Sequence, residues 1–160
     1  PASTGELVVG AVTGLEECRE LGLIEKAPAV YAVQPEGCAP IAAAWDAGRD
    51  ETELWETPDT IVGELEVADP PGGGLALDAL AKTGGGALTV EDDEAMESAV
   101  AVASTETIEM GLAGGVAAAG LWALAEAGTL DDSDEVVVVN SETATKTPDV
   151  LRSHLMGQGI

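Results

Sequence analysis

The first ten residues, "PASTGELVVG" (1–10), govern the reading of everything after them. Pro1, Ala2, Ser3, Thr4 and Gly5 are a small-residue run suited to a tight turn, and Leu7, Val8, Val9 and Val12 follow with helical spacing. Such a turn ordinarily follows a strand and presents backbone N–H groups at a helix N-terminus, an arrangement suited to a phosphate. Ser3 to Glu6 reads equally as a capping box, S-x-x-E, which needs no ligand. Nothing precedes the turn and no initiator Met is present, which leaves open a short protein with an unusual start or the second half of a longer one.

Outward from the turn, helical periodicity runs from Glu6 to Leu21 and stops at Gly22. "AVYAVQ" (29–34) reads as a short buried strand, "PEGCAP" (35–40) as a turn, and Ile41 to Ala47 as a helix. "TIVGELEVADP" (60–70) holds a candidate strand weakened by Gly63. A helix is expected over Gly72 to Lys82, then a turn and a strand over Gly84 to Val90. "TVEDDEAMESAVAVAST" (89–105) is an amphipathic helix with Thr89 or Asp92 as its cap and acids at its positive end. "GGVAAAGLWALAEAG" (114–128) is apolar nearly all round and is expected to be buried. Val136 to Val139, between polar turns, predict a central strand covered on both faces, and a last helix spans Pro148 to Met156. Strands alternating with helices imply an α/β fold, a mostly parallel sheet with helices on both faces. No internal repeat or low-complexity linker breaks the pattern, so residues 1–160 read as a single α/β domain.

Composition narrows the function. Hydrophobic residues make up 46% of the chain, enough for a core, and with no Phe and 20 Gly that core is built from small pieces. Thirty acidic residues against six basic ones give a net charge of −24, which repels nucleic-acid backbones and anionic membranes alike. The acids are spread over every predicted surface, which fits adaptation to high salt better than a merely acidic cytosolic protein. Cys18 and Cys38 have no CxxC spacing and only His154 to join them, so no zinc site is expected and both thiols read as reduced. His154 reads as a surface or partly packed residue, and Glu91 to Glu94 as a solvated helix start, so no metal is assigned. The triple glycines at 72–74 and 84–86 lack G-x-G-x-x-G spacing, and no nucleophile elbow is present. With no apolar stretch long enough for a bilayer and no signal peptide, a soluble cytoplasmic protein is expected.

In an open α/β sheet ligands gather beyond the carboxyl ends of the strands. The opening turn and "NSETATK" (140–146) both fall there, with Ser141 immediately beyond the tetra-valine strand. Its hydroxyl is placed to meet a bound ring, although the same segment reads as an ordinary loop whose polar side chains satisfy the backbone.

The stretches "LGLIEKAPAVYAVQPEGCAPI" (21–41), "TPDTIVGELEVADPPGG" (57–73), "TGGGALTVEDDEAMES" (83–98), "EMGLAGGVAAAGLWAL" (109–124) and "DVLRSHLMGQGI" (149–160) together carry a resemblance. The chain resembles the C-terminal half of the threonine synthases, pyridoxal-phosphate enzymes of fold type II, related to the tryptophan-synthase β chain. "QPEGCAPI" with the later Thr60-Ile61 is similar to threonine synthases more than to cysteine synthases or threonine dehydratases, and the acidic, lysine-poor surface is similar to that of haloarchaeal members.

The resemblance implies an incomplete part of the fold-type-II architecture, with pyridoxal 5'-phosphate as cofactor. It implies that Ala2, Ser3, Thr4 and Gly5 hold the cofactor phosphate and that Ser141 meets the pyridine nitrogen. It implies conversion of O-phosphohomoserine to L-threonine and phosphate, with the missing N-terminal half of the enzyme as partner and the phosphorylated amino acid as substrate. None of Lys26, Lys82 and Lys146 matches the family's Schiff-base lysine, so no residue of this chain is assigned a catalytic role and the chain alone is expected to be inactive. The family's glycine-containing loop after the hydroxyl residue is replaced by Glu142, Thr143 and Ala144, which sets a carboxylate beside the expected site. Alternatives are a catalytically dead remnant or interaction protein that keeps the fold, and another fold-type-II lyase of threonine dehydratase type. Homo-oligomerisation through an exposed sheet edge is also expected.

Overall fold

The computed structural model describes residues 1–146 and 148–157; residues 158–160, which end the stretch "DVLRSHLMGQGI", lie outside the described residues. Helix α1 (Glu6–Glu20) forms as its apolar spacing predicts, burying Val8 and Val12. It closes at Gly22, with the Leu23 N–H donating to the Cys18 carbonyl at 2.9 Å. Strands β1 (Tyr31–Pro35) and β2 (Gly86–Val90) are neighbours in a small parallel sheet. Helices α2 (Pro40–Asp46) and α3 (Gly73–Thr83) lie between them in sequence and supply the crossover that parallel pairing requires. The α/β fold class is therefore as expected.

The chain divides into two compact units, one spanning Ala2–Thr89 and the other built from Val90 onward with Pro1. The core of the first is made of Val8 and Val12 of α1, Ile41 of α2, Leu77 and Leu80 of α3, and a set of alanines. Side chains this small let helices lie close to strands, so burial is spread over many short contacts. Partly buried Trp45 and Trp55 close the periphery of this core.

In the second unit α4 (Asp92–Glu106) packs against α5 (Leu112–Glu126), and a shorter helix, α6 (Pro148–Leu155), follows. Ala99, Met110 and Ala118 form a small apolar cluster with the partly buried Val102 and Val138. The first nine residues of α5 are almost entirely buried, but Trp122 in its second half is 48% exposed, so burial is not complete as its composition suggested. Among the described residues no helix is long and apolar enough to cross a membrane.

Three local expectations are corrected. Val136 to Val139 form no strand: Val137 is 88% exposed, Val136 and Val139 are about half exposed, and Val138 alone packs on the apolar cluster. Valine favours extended backbone, but a strand exists only through a paired neighbour, and among the described residues none lies beside this run. The candidate strand at 60–70 is instead a 3-10 turn (Gly63–Leu65) that begins where the Val62 N–H donates to Thr60 Oγ1 at 3.1 Å. Helix α4 is capped by Glu91, neither Thr89 nor Asp92, and the Glu91 N–H donates to Glu94 Oε2 at 2.9 Å.

One buried polar side chain organises the first unit. Gln34, on β1, is fully buried. Its Oε1 accepts from the N–H groups of Ile41 (2.8 Å) and Ala42 (3.1 Å), first-turn amides of α2 that no helical carbonyl can reach. Its Nε2 donates to the Ala2 carbonyl at 3.4 Å. Gln34→Leu keeps the volume and strands both amides, so unfolding free energy should fall by roughly 2–4 kcal/mol with an unchanged denaturant slope in urea titration.

Candidate functional site

The opening turn is held from outside. The Ala2 N–H donates to the Val33 carbonyl of β1 at 2.9 Å, and the Thr4 carbonyl accepts from the Gly72 N–H at 2.9 Å. Gly5, not Ser3, is the N-cap of α1, with φ of 89°, a left-handed conformation that L side chains rarely adopt. A Cβ there would stand 2.6 Å from the Gly72 carbonyl oxygen. The capping-box reading of Ser3 and Glu6 is overturned, because α1 has no side-chain cap and the Glu6 carboxylate instead accepts from the Thr4 hydroxyl at 3.3 Å. The N–H groups of Ser3, Thr4 and Gly5 therefore find no acceptor among the described residues. They stand at the positive end of a four-turn helix, a donor set that fits an anion such as a cofactor phosphate.

Ser141 belongs to the other unit and is exposed. It lies between Asn140, whose Oδ1 accepts from the Glu142 N–H at 3.4 Å, and Glu142, which is 5% exposed. The Glu142 carboxylate, expected beside the site, is turned onto α5, where Oε2 accepts from the Ala113 N–H at 3.2 Å. Lys26, Lys82 and Lys146 are all exposed, so none has the buried setting expected of a Schiff-base lysine. Half-buried His154 sits near the end of α6.

A family model described as "Pyridoxal-phosphate dependent enzyme" matches residues 1–142. The chain belongs to this family. Its cofactor is pyridoxal phosphate. The chain is 29% identical to a threonine synthase of Methanocaldococcus jannaschii over 136 residues, covering 85% of this chain and 34% of that protein. It is 26% identical to a threonine synthase of Methanosarcina acetivorans over 148 residues, covering 92% of this chain and 36% of that protein. The chain thus spans about a third of the length of these relatives. Among solved structures, a T.th. threonine deaminase superposes with a TM-score of 0.58 at 20% identity, over 81% of this chain and 43% of that one, which shows a shared fold.

Sequence reasoning did not assign three residues that shape these segments: Gln34, Gly72 and Glu142. Gln34 carried a signal, an amide inside an otherwise apolar strand stretch. For Gly72 and Glu142 nothing local distinguishes a structural role, since their partners stand far away in the sequence.

Both cysteines are free thiols. Burial, and then the nearby Glu66 carboxylate, push the Cys38 thiol up, so it stays protonated at pH values where an ordinary thiol begins to ionise. Iodoacetamide near pH 8 should label the half-buried Cys18 in the native protein and reach Cys38 only after denaturation, as read by peptide mass spectrometry. Gly5→Ala should destabilise the protein by about 1–3 kcal/mol through the strained φ alone, seen as a lower thermal midpoint.

Proposed function

We propose that this chain is the phosphate-holding part of a threonine-synthase-like lyase that converts O-phosphohomoserine into L-threonine and phosphate. The Ala2–Gly5 turn carries the reading: three neighbouring N–H groups without a protein acceptor, at a helix N-terminus, on a loop fixed by Val33, Gln34 and Gly72. The two threonine synthase relatives support it. Pyridoxal phosphate, when bound, supplies the electron sink that this elimination and replacement chemistry needs. Ser3, Thr4 and Gly5 would hold its phosphate through their N–H groups, with the α1 dipole adding to the attraction. Ser141 would offer a neutral hydroxyl to the ring nitrogen, a setting that suits elimination chemistry.

The chain's three lysines are exposed, so the proposal assigns the anchoring lysine to a partner half. The acidic surface suits work in a salt-rich cytoplasm. A lyase of threonine dehydratase type would use the same turn and the same hydroxyl, and substrate separates the two.

Co-expression with a lysine-bearing partner half provides the test. Release of inorganic phosphate from O-phosphohomoserine, with threonine formed in equal amount, is the expected result, and the chain alone should release none. Conversion of threonine to a 2-oxo acid without phosphate release would assign the dehydratase chemistry. Absence of any cofactor absorbance band with both halves present would point to an inactive remnant or interaction protein that keeps the fold.

A further inference from the structure

Ser141 and Glu142 are adjacent in sequence yet have opposite environments: Ser141 is exposed, while Glu142 is 5% exposed. A carboxylate is almost never buried this deeply unless it is partnered. Here the partners are the orphan amides of a helix start. The Glu142 carbonyl accepts from the Gly111 N–H at 2.9 Å, and Glu142 Oε2 accepts from the Ala113 N–H at 3.2 Å. Gly111 is the N-cap of α5, so the Glu142 carboxyl group sits at the positive end of that helix. Lys146 Nζ stands 4.0 Å from Glu142 Oε1 on the solvent side. The fit depends on a missing side chain, because a Cβ on Gly111 would fall 2.5 Å from both Cγ and Oε2 of Glu142. On the other flank the Glu142 N–H donates back to Asn140 Oδ1 at 3.4 Å, an Asx turn whose middle residue is Ser141.

We propose that Glu142 is a positioning residue for Ser141. It fastens the loop to the first turn of α5 through one backbone and one side-chain bond, and with the Asn140 turn it fixes the backbone on both sides of the hydroxyl-bearing residue. This rests on the reading of Ser141 as the group that meets the cofactor's ring nitrogen. The Glu142 carboxylate is thus used inward as a clamp, instead of standing before an anionic substrate.

The test uses the cofactor-loaded protein with pyridoxal phosphate labelled with 15N in the ring, whose nitrogen chemical shift reports the hydrogen bond made there. Ser141→Ala should move the resonance. Glu142→Ala should move it in the same direction, and so should Glu142→Asp, which keeps the charge but is one methylene too short to reach Ala113. Glu142→Gln keeps an oxygen acceptor at full length and should leave the resonance near the wild-type position. Amide hydrogen exchange should quicken at Gly111 and Ala113 in the Ala and Asp variants, with the rest of α4 and α5 unchanged. If Ser141→Ala moves the resonance while both Glu142→Ala and Glu142→Asp leave it in place, the positioning role is lost and the Ser141 reading stands. If Ser141→Ala itself has no effect, the underlying reading fails. Equal quickening of exchange throughout both helices would also overturn the proposal, because it would make Glu142 a general stability residue. Should Glu142→Ala not fold, the contrast between Asp and Gln decides alone.

Discussion

The first unit depends on the Gln34 side-chain amide. Held in the core on β1, it satisfies two N–H groups of α2 and the carbonyl of Ala2 at once. Each of these groups would otherwise be buried or half-buried without a partner, and in a low-dielectric interior an unmet polar group is costly while a met one is strong. The consequence reaches the opening turn. With Ala2 bonded to Val33 and Gln34, and Thr4 bonded to Gly72, the turn's shape is imposed by the sheet and by the segment before α3. Its own side chains make no cap for α1, and the N–H groups of Ser3, Thr4 and Gly5 find no acceptor among the described residues.

The core around this amide is made almost wholly of alanine, valine and leucine. Each small side chain removes little area from water, so stability comes from many modest contributions at close backbone approach and from no large anchor. The helices in the second unit follow the same rule: a Cβ on Gly115 would collide with the backbone of Ala95, which fixes how closely α4 and α5 can pack. Apart from Glu142, charge is kept outside this economy of size. The acids line exposed helix faces and the starts of α1 and α4, where the helix dipole favours them.

Periodicity made most of the architecture legible. Helices α1 and α3 were readable because Val8 and Val12, and Leu77 and Leu80, recur at helical spacing. Strands β1 and β2 were readable because short apolar runs stand between turn residues. The join of a small-residue turn to a helix was visible in Ala2 to Gly5, and so the position of the candidate phosphate cradle was visible too. What one sequence does not carry is pairing at a distance. The Gln34–Ala2 bond spans 32 positions and the Glu142–Ala113 bond spans 29, and no local pattern encodes either. The same limit misled the reading of Val136 to Val139, where side-chain preference spoke for a strand but none among the described residues pairs with it.

That largely exposed valine run is the kind of segment onto which a second copy adds edge to edge. Asp131, Asp132, Asp134 and Glu135 stand immediately before it as gatekeepers. Asp131 is kept ionised down to lower pH than usual by the hydroxyl and then the backbone N–H of Ser133. Stacking copies in register would bring these like charges to about 4.8 Å of one another. Salt near 1 M shortens the reach of that repulsion to about 3 Å. The counterions that relieve the chain's overall self-repulsion therefore also weaken the guard on its stickiest segment, and a cover of polypeptide over those valines becomes more valuable as the solution grows saltier.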